Sequence, residues 1–270
     1  ADVCAHQHRH GPLLGAGRLL GANVVRFERR FEDDYALDPE RVARAITPRT
    51  RLIVITTPHN PTGAIADRRA IEEIGRHARA VGAYVLVDEA YYDYVTEPDH
   101  DTHIPVALDN PHVIVARTFS KAYGMAGLRM GYAVGHPDTI RKMREWDAGS
   151  GTSSLNVLAL HAGLAAVEQD ASFITAERAR NTAARDFTMK WFSDRGMKPT
   201  DSQANFMFVN IGRPAREFRD ACRKKGILVA RDFPPFEKTH CRLSFGTMDE
   251  MKKAVAVFGE VLGKKNATAA

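Results

Sequence analysis

The chain has 270 residues, 44% of them hydrophobic, with 38 basic and 33 acidic side chains giving a net charge of +5. That composition is ample for a buried core, and no apolar run reaches the ~20 residues a membrane span requires. The basic residues are interleaved with acids and form no aromatic-spaced stripe, so the expected partners are small anions rather than nucleic acid.

Residues 1 to 10 (ADVCAHQHRH) show no clear periodicity and read as a frayed terminus. His6, His8 and His10 alternate and on a strand would share a face, but the stretch reads as an atypical terminus rather than a metal site, and no metal is expected. The leucines at 13, 14, 19 and 20 suggest a short helix ended by Gly21, and Asn23 to Phe27 reads as a strand. Asp38-Pro39-Glu40 supplies an N-cap and a proline at the first helical position, with Val42, Ala45 and Ile46 on the apolar side of a helix that stops before Pro48. Arg51 to Thr57 is a buried strand running into Pro58-His-Asn60-Pro61-Thr62-Gly63, a turn by its two prolines and glycine. Asn60 therefore sits at a strand's C-terminal edge.

Asp67 caps a helix whose apolar residues Ile71, Ile74, Ala78 and Val81 recur at helical spacing, and Gly82 closes it. The strand Tyr84 to Val87 ends in Asp88-Glu89-Ala90-Tyr91. A right-handed β-α-β crossover puts Asn60 and Asp88 on the same edge of a parallel sheet. A carboxylate at the end of a buried strand is costly without a cationic partner. Residues 96 to 110 read as a polar surface loop, with His100 and His103 as solvated, structural histidines.

His112 to Arg117 is short and β-branched enough for another buried parallel strand. Thr118 to Gly131 follows it, reading T-F-S-K-A-Y-G-M-A-G-L-R-M-G. Lys121 thus falls just past the strand's C-terminal end, where open α/β sheets bind ligands. A lysine near a buried sheet loses hydration, its pKa falls, and it becomes a nucleophile toward carbonyls. Thr118 and Ser120 add hydroxyls, Arg129 adds a fixed cation, and the glycines let backbone approach a ligand. Hydroxyls and an arginine around a reactive lysine suit a phosphorylated aldehyde.

Tyr132 to Gly135 is a strand, Pro137 opens a helix to about Trp146, residues 147 to 154 are a breaker, and Asn156 to Glu168 is an Ala/Leu-rich helix. An exposed helix from about Ser172 to Arg195 leads out of the first domain. An α+β pattern follows: strand Asn205 to Asn210, helix Pro214 to Lys225 stopped by Gly226, strands Ile227 to Arg231 and Cys241 to Phe245, and helix Asp249 to Leu262. The tail GKKNATAA is expected to be disordered. Cys4, Cys222 and Cys241 are scattered and odd in number, which predicts free thiols and a reducing, cytoplasmic compartment. A targeting segment ahead of Ala1 would not be visible in this sequence.

The T-F-S-K-A-Y-G-x-x-G string with its arginine eight residues after the lysine resembles the lysine motif of the fold-type I, pyridoxal-phosphate-dependent aminotransferases, in particular the subgroup containing histidinol-phosphate aminotransferase. N-P-T-G, D-E-A-Y and C-R-L-S-F-G-T occur in that family's order and spacing. The resemblance runs from about Gly11 to Leu262. It implies an α/β fold with a mostly parallel sheet flanked by helices in a large domain (residues 1–180), and a smaller C-terminal α+β domain (181–270). It further implies that Lys121 forms the Schiff base with the cofactor and shuttles the proton, and that Asp88 pairs with the ring nitrogen. Asn60 and Tyr91 then hold the phenolic oxygen, and Ser120, Arg129 and Thr118 the phosphate. Arg242 receives the substrate carboxylate, with Arg231 as a second anion contact. A homodimer is implied as well. The same residues serve α-decarboxylation and β-elimination, and a non-catalytic relative would retain them. Family members are usually longer, so the expectation is that the start of the fold is missing, including a helix N-terminus that cradles the phosphate and an aromatic that stacks on the ring.

Overall fold

The computed structural model describes residues 1–6, 11–146, 155–169, 171–229 and 232–263. Strands β1 (Asp2–His6), β2 (Asn23–Phe27), β3 (Thr50–Thr56), β4 (Tyr84–Asp88), β5 (Val113–Thr118) and β6 (Gly131–Gly135) form one sheet in the order β2-β1-β3-β4-β5-β6. All neighbours are parallel except β5 and β6, which run antiparallel. β3, β4 and β5 are runs of Val, Ile and Leu because helices pack on the parallel sheet and both of its faces carry buried side chains. Ile53, Val54, Val85, Val87, Val113 and Val115 have no exposed surface.

Helix α1 spans Gly11–Leu19 and α2 spans Pro39–Ala45, the latter capped by the Asp38 carboxylate, which accepts from the Glu40 and Arg41 amides. Helix α3 (Arg68–Ala80) begins where Asp67 accepts from the Arg69 amide. Its Ile71, Ile74 and Ala78 project onto the sheet and join the main core with Val85, Val87 and Val113. Truncating one such isoleucine to alanine costs ~2–5 kcal/mol.

Helices α4 (Ile104–Asp109), α5 (Pro137–Trp146), α6 (Val157–Glu168) and α7 (Ser172–Ser193) follow. Beyond them β7 (Phe206–Asn210) and β8 (His240–Ser244) pair antiparallel, flanked by α8 (Ala215–Arg223) and α9 (Met248–Leu262). Their core includes Ala184 and Phe192 from α7, Phe218 from α8 and Phe258 from α9. Gln203 accepts from both the amide and the hydroxyl of Thr96, and Arg185 donates to the same hydroxyl, which ties this core to the large sheet.

Three expectations are corrected. Residues 2–6 are an inner strand rather than a frayed end: Val3, Cys4 and Ala5 are buried between β2 and β3, and Asp2 holds Arg49 at 3.0 Å. Small residues with two flanking partners need no strong hydrophobic signal to be buried in a sheet. The stretch 96–110 is not all surface loop, because it contains α4 and because His103 is fully buried. Ile227–Val229 carries no strand pairing. The Ile227 amide is spent on the Cys222 carbonyl at the end of α8, where Gly226 takes φ +79°, so a helix stop overrides β-branched propensity. The rest of that predicted strand, with the calls on His8, His10, residues 147–154 and the tail from Lys264, lies outside the described residues.

Candidate active site

The ends of β3, β4 and β5 lie side by side, in a register that sets Thr56 against Asp88 and Asp88 against Ala116. Chain leaving these three strands forms an open cavity of about 550 Å³, lined among others by Asn60, Asp88, Tyr91, Ser120, Lys121 and Arg129. This position follows from topology, because the parallel strands all deliver their C-terminal ends to one edge.

Asp88 closes β4 and accepts one hydrogen bond, from the Ala90 amide at 3.1 Å. Burial pushes its carboxyl above the ordinary range, against the Ala90 amide and the Lys121 charge. The Lys121 ammonium stands over the Tyr91 ring, 5.2 Å from its centroid. Tyr91 is fixed edge-on to Phe206, with centroids 4.9 Å apart. Asn60 sits between two partners. Its amide nitrogen is 3.4 Å from the Tyr91 hydroxyl, and its carbonyl oxygen accepts from Arg242 at 3.0 Å. Arg242 therefore reaches the cavity's edge from β8, lying over Phe206 at 4.7 Å and Phe233 at 5.4 Å.

The Lys121 loop is built by its own backbone. The Phe119 amide donates to the Met130 carbonyl, and the Gly124 amide donates to the Lys121 carbonyl. The Thr118 hydroxyl donates to the Met130 carbonyl at 3.2 Å and accepts the Ser120 amide at 3.1 Å, so its hydrogen-bonding capacity shapes the loop. Ser120 lines the cavity. Arg129 is exposed, takes φ +57°, and spends one guanidinium nitrogen on the Ala126 carbonyl at 2.8 Å. A Cβ on Gly131 would lie 2.5 Å from the Arg117 carbonyl, so the two strands can approach only over a glycine there. Arg231 lies outside the described residues, and its predicted anion contact has no geometry to report.

The sequence reading overlooked the pair directly behind this wall. Glu89 is 1% exposed and bonded to Arg117 at 2.8 Å and to the His103 ring nitrogen Nδ1 at 2.9 Å. Burial opposes ionisation of Glu89, but hydrogen bonds from His103 and the Arg117 charge outweigh it and hold the carboxyl below the usual range. The signal was present: consecutive acids at the end of a buried strand point to opposite faces, so Glu89 needed a cation as much as Asp88 did. Arg117, one residue before T-F-S-K, was the available one. Phe206 was also overlooked, since nothing local marks it as the wall behind Tyr91. Among the described residues, no group of three His, Cys, Asp or Glu side chains is arranged to hold a metal ion, and no helix is long and apolar enough to cross a membrane.

Residues 3–258 match the profile of the aminotransferase class I and II family. The chain is 33% identical over 252 residues to a histidinol-phosphate aminotransferase of Moorella thermoacetica, covering 92% of this chain and 62% of that protein. It is 36% identical over 220 residues to an aromatic amino acid aminotransferase of Mycobacteroides abscessus, covering 79% and 58% respectively. Its structure superposes on that of a histidinol-phosphate aminotransferase from Sinorhizobium meliloti in complex with pyridoxal-5'-phosphate with a TM-score of 0.84 at 25% identity, covering 97% of this chain and 70% of the other. The chain thus spans about six-tenths of the length of these two sequence relatives.

Proposed function

Because the chain belongs to the class I and II aminotransferases, we propose that it is a pyridoxal-phosphate-dependent transaminase, moving an amino group between an amino acid or phosphorylated amine and a 2-oxo acid. The observation that carries this reading is the meeting of Lys121, Asp88, Asn60 and Tyr91 around one cavity, delivered by three adjacent strand ends. The residues fit the cofactor. Asp88 is a carboxylate with a single backbone donor in a desolvated wall, the environment that favours a cationic ring nitrogen as its partner. When bound, pyridoxal phosphate supplies an aldehyde for condensation with amines and an electron-accepting ring.

The chain's own residues do the rest. Lys121 would hold the cofactor through its amine and would carry a proton to and from the substrate α-carbon. Asp88 holds the ring nitrogen's positive charge. The Tyr91 hydroxyl and the Asn60 amide orient the ring oxygen, and their mutual contact keeps both in place. Ser120 and Arg129 bind phosphate, with Thr118 holding the turn that presents them. Arg242 forks onto the substrate's carboxylate or equivalent anion, and its hydrogen bond to Asn60 brings substrate recognition to the cofactor's edge. Arg231 is assigned the second anion contact on its motif alone.

The names of the relatives favour histidinol phosphate or an aromatic amino acid as amino donor. A division into a large and a small domain near residue 180 is part of this reading. It is supported by α7, whose Ile174 packs with Tyr91 while Ala184 and Phe192 join the second core. A homodimer is part of it too. Val157, Leu158, Leu164 and Val167 of α6 are 54% to 69% exposed, an apolar surface that a second copy would cover. The test is product analysis of the chain incubated with pyridoxal phosphate, each donor and 2-oxoglutarate. Glutamate and the donor's 2-oxo product are expected, and both should vanish in Lys121→Ala. Carbon dioxide or free ammonia without amino transfer would replace the reading with a decarboxylase or lyase.

A further inference from the structure

The side chains of β7 and β8 divide between two faces. Met207, Val209, Cys241 and Leu243 enter the second core, and Phe206, Phe208, His240 and Arg242 point the other way, with Phe208 directly opposite Arg242 in the strand register. Residues 232–239 lead into β8 and fold over this second face. They are fastened at several points: Asp232 pairs with Arg219 of α8 at 3.0 Å, and the Glu237 and Thr239 carbonyls accept the Ala215 and Ile211 amides, each at 2.8 Å. The Phe236 ring packs on Phe208 at 5.9 Å and on Tyr35 at 6.0 Å. These anchors lay Phe233 across the opposed pair. Its ring meets Phe208 at 6.4 Å, and its centroid is 5.4 Å from the Arg242 Cζ. Phe206, which also stands against Arg242, is 1% exposed and committed to Tyr91. Phe233 is half-buried and is followed by the exposed Pro234 and Pro235.

We propose that Phe233 is a positioning residue for the substrate anion: its ring holds the plane of the Arg242 guanidinium, so that the fork is presented to a carboxylate entering the cavity. The proposal rests on the reading of Arg242 given above. A hydrogen bond and a ring constrain different freedoms. The bond to Asn60 at 3.0 Å fixes where one nitrogen points. A ring alongside a guanidinium attracts its charge and resists rotation of its plane. Recognition of a carboxylate through two nitrogens needs both constraints, because the two oxygens must lie in the guanidinium plane. A ring also holds the cation without offering an oxygen. A carboxylate in the same place would hold Arg242 as firmly but would compete with the substrate for its donors, whereas Phe233 leaves them to the ligand. Phe206 does the same from β7, but it is also the support of Tyr91. Phe233 has no contact with a residue assigned to the cofactor, so its contribution falls on the substrate anion alone.

The test is a calorimetric titration of the full chain, loaded with pyridoxal phosphate, with maleate, a small carboxylate that has no amine to react and no side chain to touch the ring. Wild type, Phe233→Leu and Phe233→Tyr are compared, thermal unfolding reports whether each is folded, and a separate titration measures uptake of pyridoxal phosphate. Phe233→Leu keeps an apolar side chain and removes the ring. It is expected to weaken maleate binding by roughly 3- to 30-fold, the scale of a contact between a cation and an aromatic ring, with cofactor uptake within about twofold of wild type. Phe233→Tyr keeps the ring and is expected to bind maleate as wild type does. A merely structural role predicts instead that cofactor uptake and maleate binding fall together. Maleate binding by Phe233→Leu equal to wild type, a Phe233→Tyr as weak as Phe233→Leu, or a matching loss of cofactor uptake overturns the proposal. Failure of Phe233→Leu to fold makes the ring a support of the fold and overturns it as well. A wild-type chain that takes up the cofactor but not maleate removes Arg242 as the anion contact and this proposal with it, while the reading of Lys121 stands. A wild-type chain that takes up no cofactor overturns the functional reading and the proposal together.

Discussion

Gly63, the last residue of N-P-T-G, is where the turn carrying Asn60 meets the second half of the chain, and Gly63→Ala tests that junction. Gly63 has φ +78°, and a Cβ built there would run into the Ser202 hydroxyl and lie 2.8 Å from the Ser202 Cα. The contact cannot be relieved by rotating a side chain, because the Gly63 carbonyl accepts the Gln203 amide at 3.0 Å and the Thr62 carbonyl accepts the Thr200 hydroxyl at 2.6 Å. The left-handed conformation costs an L-residue ~1–2 kcal/mol, and overpacking against fixed backbone adds ~1–3 kcal/mol. Together these predict a loss of ~2–5 kcal/mol, or a fall in Tm of roughly 4–20 °C for a chain of this size. Urea denaturation followed by circular dichroism measures it. A loss below about 0.5 kcal/mol, the range of an ordinary surface substitution, would refute the close approach of residues 63 and 202.

Three further outcomes follow from the site and the cores. Asp88 has its folded-state pKa raised by burial, so without cofactor the wild type loses stability as pH rises from the ordinary carboxylate value through the folded-state one. Cofactor-free Asp88→Asn is accordingly expected to unfold at a higher temperature than wild type at pH 7, with the gap closing toward pH 4; a gap that does not depend on pH would refute this. Arg242→Lys removes the two-nitrogen fork, so KM for a carboxylate substrate should rise by about tenfold or more while kcat falls less, and an unchanged KM would remove Arg242 from substrate binding. Cys4, Cys222 and Cys241 are all buried, with the Cys222 thiol pushed up to about 11 and the Cys241 thiol to about 12. A thiol reagent at pH 8 should leave the folded chain unmodified and label all three cysteines in denaturant; rapid labelling of the native chain would contradict their burial.

Residues whose placement is dictated locally were legible in the sequence. Asp38 and Asp67 each announce a helix start by side-chain chemistry, and each accepts an amide of the first turn. The unbroken apolar runs of β3, β4 and β5 announce a parallel sheet, and from that sheet alone Asn60, Asp88 and Lys121 had to share an edge. What escaped notice depends on partners distant in sequence. Val3 to Ala5 became an inner strand only through β2 and β3. His103 was read as solvated because nothing in its own loop reveals the Glu89 carboxylate that buries it. The meeting of Arg242 with Asn60 spans 182 residues, and no local pattern encodes it. Thr118, expected as a ligand hydroxyl, lines the cavity, and its bonds to Met130 and Ser120, which no local pattern announces, also hold the loop.

The central claim is that Lys121 is the residue that reacts with a phosphorylated aldehyde, in a cavity already assembled from this chain. Its most direct test is to add pyridoxal phosphate to the purified chain, reduce with borohydride, and map the modified peptide by mass spectrometry. The account predicts a single stable adduct on Lys121, lost in Lys121→Ala and weakened in Asp88→Asn. A folded chain with no adduct, or with label scattered over surface lysines such as Lys190 and Lys225, would contradict it.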